Sequence, residues 1–570
     1  MAEEVWMLQT KKADFKQIGA RFRIDPVTAR IIRNRGIEGE AAIDRYLNGT
    51  LDDLYDPMLL KDMERAVSIL CEAVDTGKKI RIVGDYDIDG VCSTYILLQA
   101  FERLGSDVDF EIPDRIKDGY GINESIIEQA HADGVEVILT CDNGISAFHQ
   151  VELAKKYGMT VVITDHHEVP LDGEKEKIPP ADAVIDPKQA DCPYPFPEIC
   201  GAVVAYKLVQ VLYARRGVPQ MEWLDLLEFA AIATVGDVMK LQDENRILVK
   251  YGLKKMAKTK NLGLRRLAEK NNLDLGAITA YHIGFVIGPC LNAGGRLKTA
   301  KEALALLRAQ SEEEAERLAE ELKELNDTRK DMTEQGTEAA KLQVESWYQK
   351  DKVLVVFLPE CHESLAGIIA GRLREYYQKP AIVLTRGEEA VKGSGRSIDE
   401  YHMFKKLTEV SDLLLKFGGH PLAAGLSLEE KNIDEFRRRL NENAGLTEED
   451  FKAKVWIDVP MPVGYVTERL VRELSCLEPF GQGNEKPLFA EKSLRIRASR
   501  VLGRNRNVVK MTLEETDGHA IEALYFGDGT AFEEERAGRR EIDVVYYPDI
   551  NEYNGRKTLQ AVIRRYKFRG

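Results

Sequence analysis

From about residue 60 the chain alternates short apolar runs with amphipathic stretches, and this alternation limits the fold more than any other feature. The runs KKIRIVG, VDFEIP, VEVILTCD, MTVVITD and ADAVIDP each stop at a turn. Stretches with helical character, such as STYILLQAFERLG and ISAFHQVELAKKYG, stand between several of them. Short apolar strands alternating with helices predict a parallel sheet covered on both faces. In such a sheet ligands bind outside the carboxyl ends of the strands, so the residues that follow each run are where chemistry is to be sought.

Those residues are acids and histidines. The first run leads directly into Gly84-Asp85-Tyr86-Asp87-Ile88-Asp89-Gly90. The alternating carboxylates place hard oxygen ligands at a strand end. A calcium loop of the EF-hand type also begins DxDxDG, but it needs a preceding helix and a glutamate at its twelfth position. Here a strand precedes and the twelfth residue is Ile96. VEVILTCD ends in Asp142-Asn143-Gly144, and MTVVITD ends in Asp165-His166-His167. Further on, Ala233-Thr234-Val235-Gly236-Asp237 delivers one more carboxylate at the end of an apolar stretch. Carboxylate mixed with imidazole suits Mn²⁺, Mg²⁺ or another first-row cation better than a thiolate-rich zinc set does. The eight cysteines are scattered with no CxxC pair, which reads as reduced, mostly buried thiols. No Ser-His-Asp or Cys-His arrangement stands out among the nine histidines.

DYDIDG, CDNG, DHH and VGD, in this order and on the expected strand ends, resemble the signature motifs of the DHH phosphoesterases. The resemblance implies hydrolysis of phosphodiesters or phosphoanhydrides at a two-ion Mn²⁺ or Mg²⁺ centre. Carried over by position, Asp87, Asp89, Asp142, His166 and Asp237 are implied as metal ligands, with Asp142 and Asp237 near both ions. Asp85 is implied as a supporting member of the first motif. His167 is implied as a second-sphere or substrate-phosphate group, and both are expected to act in catalysis. Some members carry a histidine where this chain has Val83, which sets the ligands of one ion apart from theirs. Such a metal pair activates water directly and needs no protein nucleophile.

The rest of the chain bears on the substrate. At 570 residues it is too long for one core, and three or four domains are expected. Residues 1–50 read as a helical lead-in and 51–310 as the DHH phosphoesterase domain. In 311–349, Ser311 with Glu314 forms a capping box, and Leu318, Leu322 and Leu325 keep helical spacing, predicting a connecting helix. Residues 350–450 form a second α/β unit, and strand-rich 455–570 fits a small β-barrel of the OB type. Gly393-Ser394-Gly395-Arg396-Ser397 and Phe417-Gly418-Gly419-His420-Pro421 resemble the DHH-associated substrate domain, in which glycines admit close approach and Arg396 can grip phosphate.

Three features resemble the RecJ branch of that superfamily. One is the segment from Pro289 to Leu297, carrying Arg296. Another is Arg115 with Tyr120, near the ligand edge of the sheet. Arg115, Arg296, Ser394 and Arg396 match positions that form a 5′-phosphate pocket in that branch, and Tyr120, Gly418, Gly419 and His420 are further substrate contacts. The third is the tail: Lys492, Arg495, Arg497, Arg500, Arg504, Arg506 and Lys510 are concentrated there against a net charge of −15, and AVIRRYKFRG adds cations interleaved with aromatics. OB barrels hold single strands by such grooves and by base stacking. The segment LEPFGQGNEKPLF resembles the RecJ junction into that barrel. The resemblance implies a 5′→3′ exonuclease of single-stranded DNA that releases 5′-mononucleotides in repair and recombination. A single-strand-binding protein and a helicase are implied as partners, and a monomer is expected. A DHH phosphodiesterase of short oligonucleotides or cyclic dinucleotides is the alternative, and a catalytically silent binding scaffold a third. Apolar runs too short for a bilayer and the absence of a signal-peptide core in MAEEVWMLQTKK predict a cytoplasmic protein.

Overall fold

The computed structural model of the chain describes residues 4–115, 118–553 and 555–569. The first three residues of the expected lead-in and the last glycine of the tail lie outside the described residues. Two compact units form: one takes residues 54–239 and 247–453, the other 4–53, 240–246 and the chain from 454 onward.

In the first unit all five expected runs are strands of one parallel sheet. Their order is Val108–Glu111, Ile80–Val83, Val137–Cys141, Thr160–Thr164, Ala183–Ile185. From Ile80–Val83 the chain steps outward to Val108–Glu111, then returns past its start to Val137–Cys141. Winding therefore reverses between Ile80–Val83 and Val137–Cys141, and that reversal opens a crevice at their carboxyl ends. Both strands are buried along their whole length, as cover on both faces requires. Helix Ile88–Arg103 is buried over most of its surface and packs against helices Gly201–Arg216 and Leu227–Gly236. The apolar stretch before Asp237 is thus a helix, and its carboxylate arrives from a helix end instead of a strand end.

Helix Glu312–Gln343, 32 residues and so about 48 Å long, follows. Ser311 Oγ accepts the Glu314 amide at 3.2 Å, while the Glu314 carboxylate accepts the amide of Gln310, one residue before the reciprocal position of a full capping box. Leu318 and Leu322 are buried on one face of this helix. Beyond it lies a mixed sheet in the order Leu414–Gly419, Ala423–Leu428, Val391–Arg396, Ala381–Arg386, Leu354–Phe357, with only the last two parallel. All eight cysteines are free, and among the described residues no helix is long and apolar enough to cross a membrane.

The second unit is built around six strands in the order Val459–Pro460, Phe489–Leu502, Val508–Glu514, Ala520–Phe526, Arg556–Phe568, Glu541–Tyr553. Glu541–Tyr553 pairs back onto Phe489–Leu502, closing the sheet into a ring. The N-terminal segment contributes helices Phe15–Phe22, Pro26–Asn34 and Glu40–Asn48, and also a strand, Glu4–Leu8, paired with Ala453–Ile457. Ile31, Ile32 and Tyr46 from these helices share one core with Phe489, Val509, Val544 and Tyr546. Arg246 locks the short excursion 240–246 into this unit. It is 2% exposed, lies 3.9 Å from the centre of the Tyr46 ring, and donates to the carbonyls of Tyr46, Leu477 and Cys476 at 3.0, 2.8 and 2.7 Å.

Arg246→Met roughly keeps the volume but removes one donor from each of three buried carbonyls; Leu477 keeps Asn484 Nδ2 at 2.8 Å, so the loss falls on the carbonyls of Tyr46 and Cys476, at ~1–3 kcal/mol each. The expected outcome is a fall of at least ~2 kcal/mol in the stability of the second unit by denaturant unfolding, with no rescue by Lys, whose ammonium cannot span three acceptors.

Candidate metal centre

The strand Ile80–Val83 hands over to Gly84, where a side-chain methyl would sit 2.1 Å from Thr94 Oγ1, so the following helix starts hard against the strand end. Asp87 caps that helix, its Oδ1 accepting the amides of Asp89 at 2.9 Å and Gly90 at 3.1 Å. Asp89, in the first turn, turns its carboxylate to a second helix start: its two oxygens accept the Gly201 and Ala202 amides, each at 2.7 Å. Asp85 is buried and accepts from the Gly121 amide at 3.2 Å. Two helix N-termini thus hold acids that would otherwise repel one another out of the crevice.

Asp142 closes the strand Val137–Cys141 with φ +62°, a left-handed conformation uncommon for a residue with a side chain. Its surroundings enforce it. Asn143 donates to the carbonyls of Val83 at 3.0 Å and Cys141 at 2.9 Å and accepts from Ile122 at 3.2 Å. The Tyr120 hydroxyl donates to the Asp142 carbonyl at 2.9 Å. A methyl on Gly201 would lie 2.7 Å from Asp142 Cβ. Strain held in place by its neighbours is typical of functional positions.

From the next strand, Asp165 Oδ2 accepts the Ile145 amide at 2.9 Å, and Oδ1 takes the His166 amide and His167 Nδ1, each at 2.8 Å. His166 Nε2 points into the acids, 3.1 Å from Asp142 Oδ1, 3.5 Å from Asp89 Oδ2 and 3.8 Å from Asp237 Oδ2. Asp237 caps the C-terminus of helix Leu227–Gly236, where the helix dipole disfavours a negative charge. Three groups therefore bring ligand atoms within 4.8 Å of one another: Asp85, Asp87 and Asp142; Asp89, His166 and Asp237; and Asp142, His166 and His167.

The electrostatics of this cluster call for cations. Burial, and then the neighbouring acid Asp87, push Asp85 up to about 8. Burial and the surrounding carboxylates also raise Asp87, Asp142 and Asp237. Burial keeps His166 neutral, leaving an imidazole able to ligate. For His167 burial works against charge, yet the hydrogen bond and charge of Asp165 outweigh it and lift the ring to about 9. Asp142 Oδ1 is buried without a hydrogen bond, an orphan that a bound ion would satisfy. Oxygen-rich groups with a neutral imidazole, arranged around the shared Asp142, fit two Mn²⁺ or Mg²⁺ ions.

Arginines gather on another side of the crevice. Arg296 donates to the Ser364 carbonyl at 3.0 Å, and burial together with nearby Arg115 and Arg329 pushes it down to about 10. Arg396 donates to Ser394 Oγ at 3.2 Å and to the Gly395 carbonyl at 2.8 Å, and it is lowered by burial, then by Arg115. Arg115 lies 4.9 Å from the centre of the Tyr86 ring. A methyl at Gly367 would stand 2.9 Å from both Arg396 Nη2 and Ser394 Oγ, so the first turn of helix Ala366–Tyr377 faces the same place. Half-buried, like-charged guanidiniums with no acidic ion-pair partner among the described residues suit an anion.

Of the other expected contacts, Tyr120 joins the metal side, its hydroxyl 3.0 Å from His167 Nδ1. Gly418 and Gly419 end the strand Leu414–Gly419, His420 follows in the turn to Ala423–Leu428, and His420 comes within charge reach of Glu168, beside His167. Sequence reasoning missed the buried Asp165 and Asn143, the Gly201 and Ala202 amides, and Gly367. Asp165 and Asn143 stood inside quoted motifs, whereas the amides and Gly367 carry no side-chain signal.

Family models match three stretches: "DHH family, N-terminal domain" over 79–234, "DHHA1 domain" over 350–445 and "RecJ OB domain" over 457–565. The chain is 36% identical over 564 residues to the single-stranded-DNA-specific exonuclease RecJ of Bacillus subtilis, covering 98% of this chain and 70% of that one. To the RecJ of Escherichia coli it is 34% identical, covering 95% of each. The chain belongs to the RecJ family. Among solved structures, RecJ of Thermus thermophilus in complex with Mn²⁺ superposes with a TM-score of 0.84 at 28% identity, covering 99% of this chain and 80% of that one. The Mg²⁺ complex of the same RecJ gives 0.78 at 27% identity, covering 99% and 78%. Both ions considered on chemical grounds are therefore seen in close structural relatives of this RecJ-family chain.

Asp142→Asn removes one buried acid and places a residue tolerant of left-handed φ. Without metal the variant should be more stable than the parent by ~1–2 kcal/mol in denaturant melts at pH 8. With Mn²⁺ the order should reverse, because only the parent gains binding energy.

Proposed function

We propose that this RecJ-family chain is a metal-dependent exonuclease that hydrolyses single-stranded DNA from the 5′ end and releases 5′-mononucleotides. The observation that carries the reading is the pairing of a buried acid and histidine cluster with a separate pocket of unneutralised arginines in the same unit. The first suits a scissile phosphate and the second a terminal one.

The two ions, when bound, supply a polarised phosphate and an activated water at neutral pH. Asp85, Asp87, Asp89, Asp142, His166 and Asp237 hold them. Asp165 fixes the His167 ring through Nδ1 and keeps it charged, so that His167 offers a proton donor to the phosphate. Tyr120 supports Asp142 and His167 together. Arg115, Arg296, Ser394 and Arg396 grip the 5′-phosphate and fix the polarity of digestion, and His420 adds a contact at the crevice.

In the second unit Arg495 and Arg500 project outward while Leu494 and Ile496 enter the core. Two of the expected cations are neutralised, Arg497 by Glu514 at 2.6 Å and Lys510 by Glu522 at 2.8 Å. Among the described residues Lys492, Arg495, Arg500, Arg504 and Arg506 remain exposed and outside any ion pair, Arg506 donating to Thr530 Oγ1 at 3.0 Å, and they support a role in holding phosphates. The tail aromatics do not serve stacking: Tyr566 and Phe568 pack on Phe532 at 4.8 and 5.1 Å. A cytoplasmic monomer that receives strands from a helicase and a single-strand-binding protein fits an enzyme needing a free 5′ end.

The test is end-labelled single-stranded DNA, duplex DNA and a dinucleotide, each with Mn²⁺ or Mg²⁺. Mononucleotide release from the 5′ end of the single strand is expected, and turnover of the dinucleotide alone would sink the reading. Arg396→Ala should raise KM ~10- to 100-fold for a 5′-phosphorylated strand and leave a 5′-hydroxyl strand unchanged.

A further inference from the structure

Two exposed aromatic rings stand on a turn that packs against the helix ending in Asp237, and neither belongs to the acid cluster or the arginine pocket. Tyr281 is 62% exposed and Phe285 66%, although each is large enough to belong in a core. Their centroids are 4.8 Å apart with planes inclined by 28°, so they form one continuous stacked surface. Val238, equally exposed at 66% and held at φ +58°, directly follows the candidate ligand Asp237.

The local backbone explains how the rings are displayed. Residues Ile283–Ile287 form a π-helical turn that runs directly into helix Gly288–Leu297. Such wide turns occur mostly at functional positions. Tyr281 and Phe285, four residues apart, share one face, while Ile283 and Ile287 are buried. Three glycines let this rod lie against the catalytic elements. A methyl at Gly284 would be 3.7 Å from Val235 Cγ1, on the helix that ends in Asp237. One at Gly288 would be 3.3 Å from Ile88 Cδ1, and one at Gly295 would be 2.3 Å from the Tyr86 carbonyl. The rod thus passes along the whole DYDIDG motif and finishes at Arg296.

This fixes an order along one axis: the arginine pocket, the acids, then the paired rings. Phe285 and Arg296 are eleven residues apart, about 16 Å at helical rise. A single strand rises at least ~3.4 Å per nucleotide even when stacked, so that distance takes about two to five nucleotides. We infer that Tyr281 and Phe285 are a stacking platform for the nucleobases that follow the scissile bond, near the third or fourth position from the 5′ end. The inference rests on the single-strand nuclease reading and deepens it. Flat exposed rings accept any base, whereas a duplex, with its bases already stacked, has no free face to offer. The rings are positioning residues: they hold the strand in line, and the chemistry is done elsewhere.

The test is a length series of 5′-phosphorylated oligodeoxythymidylates, from two to eight nucleotides, with wild type and a Tyr281→Ala/Phe285→Ala double variant. Both side chains are exposed, so folding should be undisturbed. Wild-type KM should fall as the strand reaches the platform. The double variant should match wild type on the dinucleotide and lose ~5- to 150-fold in KM per unstacked base on the eight-mer, with kcat unchanged. An abasic nucleotide at the third or fourth position should weaken wild type by a similar factor and the variant hardly at all, and Phe285→Trp should retain the length effect. Equal losses on the dinucleotide and the eight-mer, or no loss on either, would overturn the platform. Equilibrium binding of the same strands without added metal reads the rings independently of turnover. Ring-dependent binding without cleavage would therefore contradict only the nuclease reading.

Discussion

Asp85, Asp87, Asp89, Asp142 and Asp237 share one buried crevice, and like charges so placed repel strongly in a low-dielectric site. Much of the first unit is organised to hold them there. Helix Ile88–Arg103 starts on Asp87, helix Gly201–Arg216 starts on Asp89, and the strained Asp142 is pinned through Asn143, Tyr120 and Gly201. The parallel sheet provides the frame, because its reversal between Ile80–Val83 and Val137–Cys141 opens the only kind of edge at which such loops converge. A cluster that destabilises the empty protein becomes an asset once cations stand between the acids, and it is maintained by interactions made well outside it.

A second charge arrangement complements the first. Arg115, Arg296 and Arg396 crowd together without acidic ion-pair partners among the described residues, so the unit presents an acid-lined and a cation-lined surface near one another. Each is unfavourable alone, and a phosphodiester strand with divalent ions satisfies both. Helix Gly288–Leu297 connects them physically: its glycines lie against the acidic motif and its last turn carries Arg296. The position of Arg296 relative to the acids thus follows from helix packing.

The alternation of apolar runs with amphipathic stretches disclosed the parallel sheet, and the acids after each run disclosed the crevice, because both depend on side-chain type at short range. The capping serine at 311 was legible for the same reason. What escaped notice depends on backbone or on long-range pairing. The Gly201 and Ala202 amides that hold Asp89 carry no side-chain signature. In the tail the cations were legible, but their cross-strand partners Glu514 and Glu522 become neighbours only through the register of the sheet. Tyr566 and Phe568 looked available for stacking until the ring of strands folded them onto Phe532. The sharing of one core by the N-terminal helices and the C-terminal sheet is likewise a long-range fact.

The central claim is that protons hold the crowded acids until two divalent ions displace them. Calorimetric titration of the metal-free protein with Mn²⁺ at pH 7, repeated in buffers of different ionisation enthalpy, tests it directly. Asp85, raised to about 8, is mostly protonated at this pH, and ligation requires its carboxylate or those beside it to be bare. The account therefore predicts two ions bound per chain with net proton release, the release declining as the pH is raised past about 8. Binding of a single ion, or heats that do not change with the buffer, would contradict it.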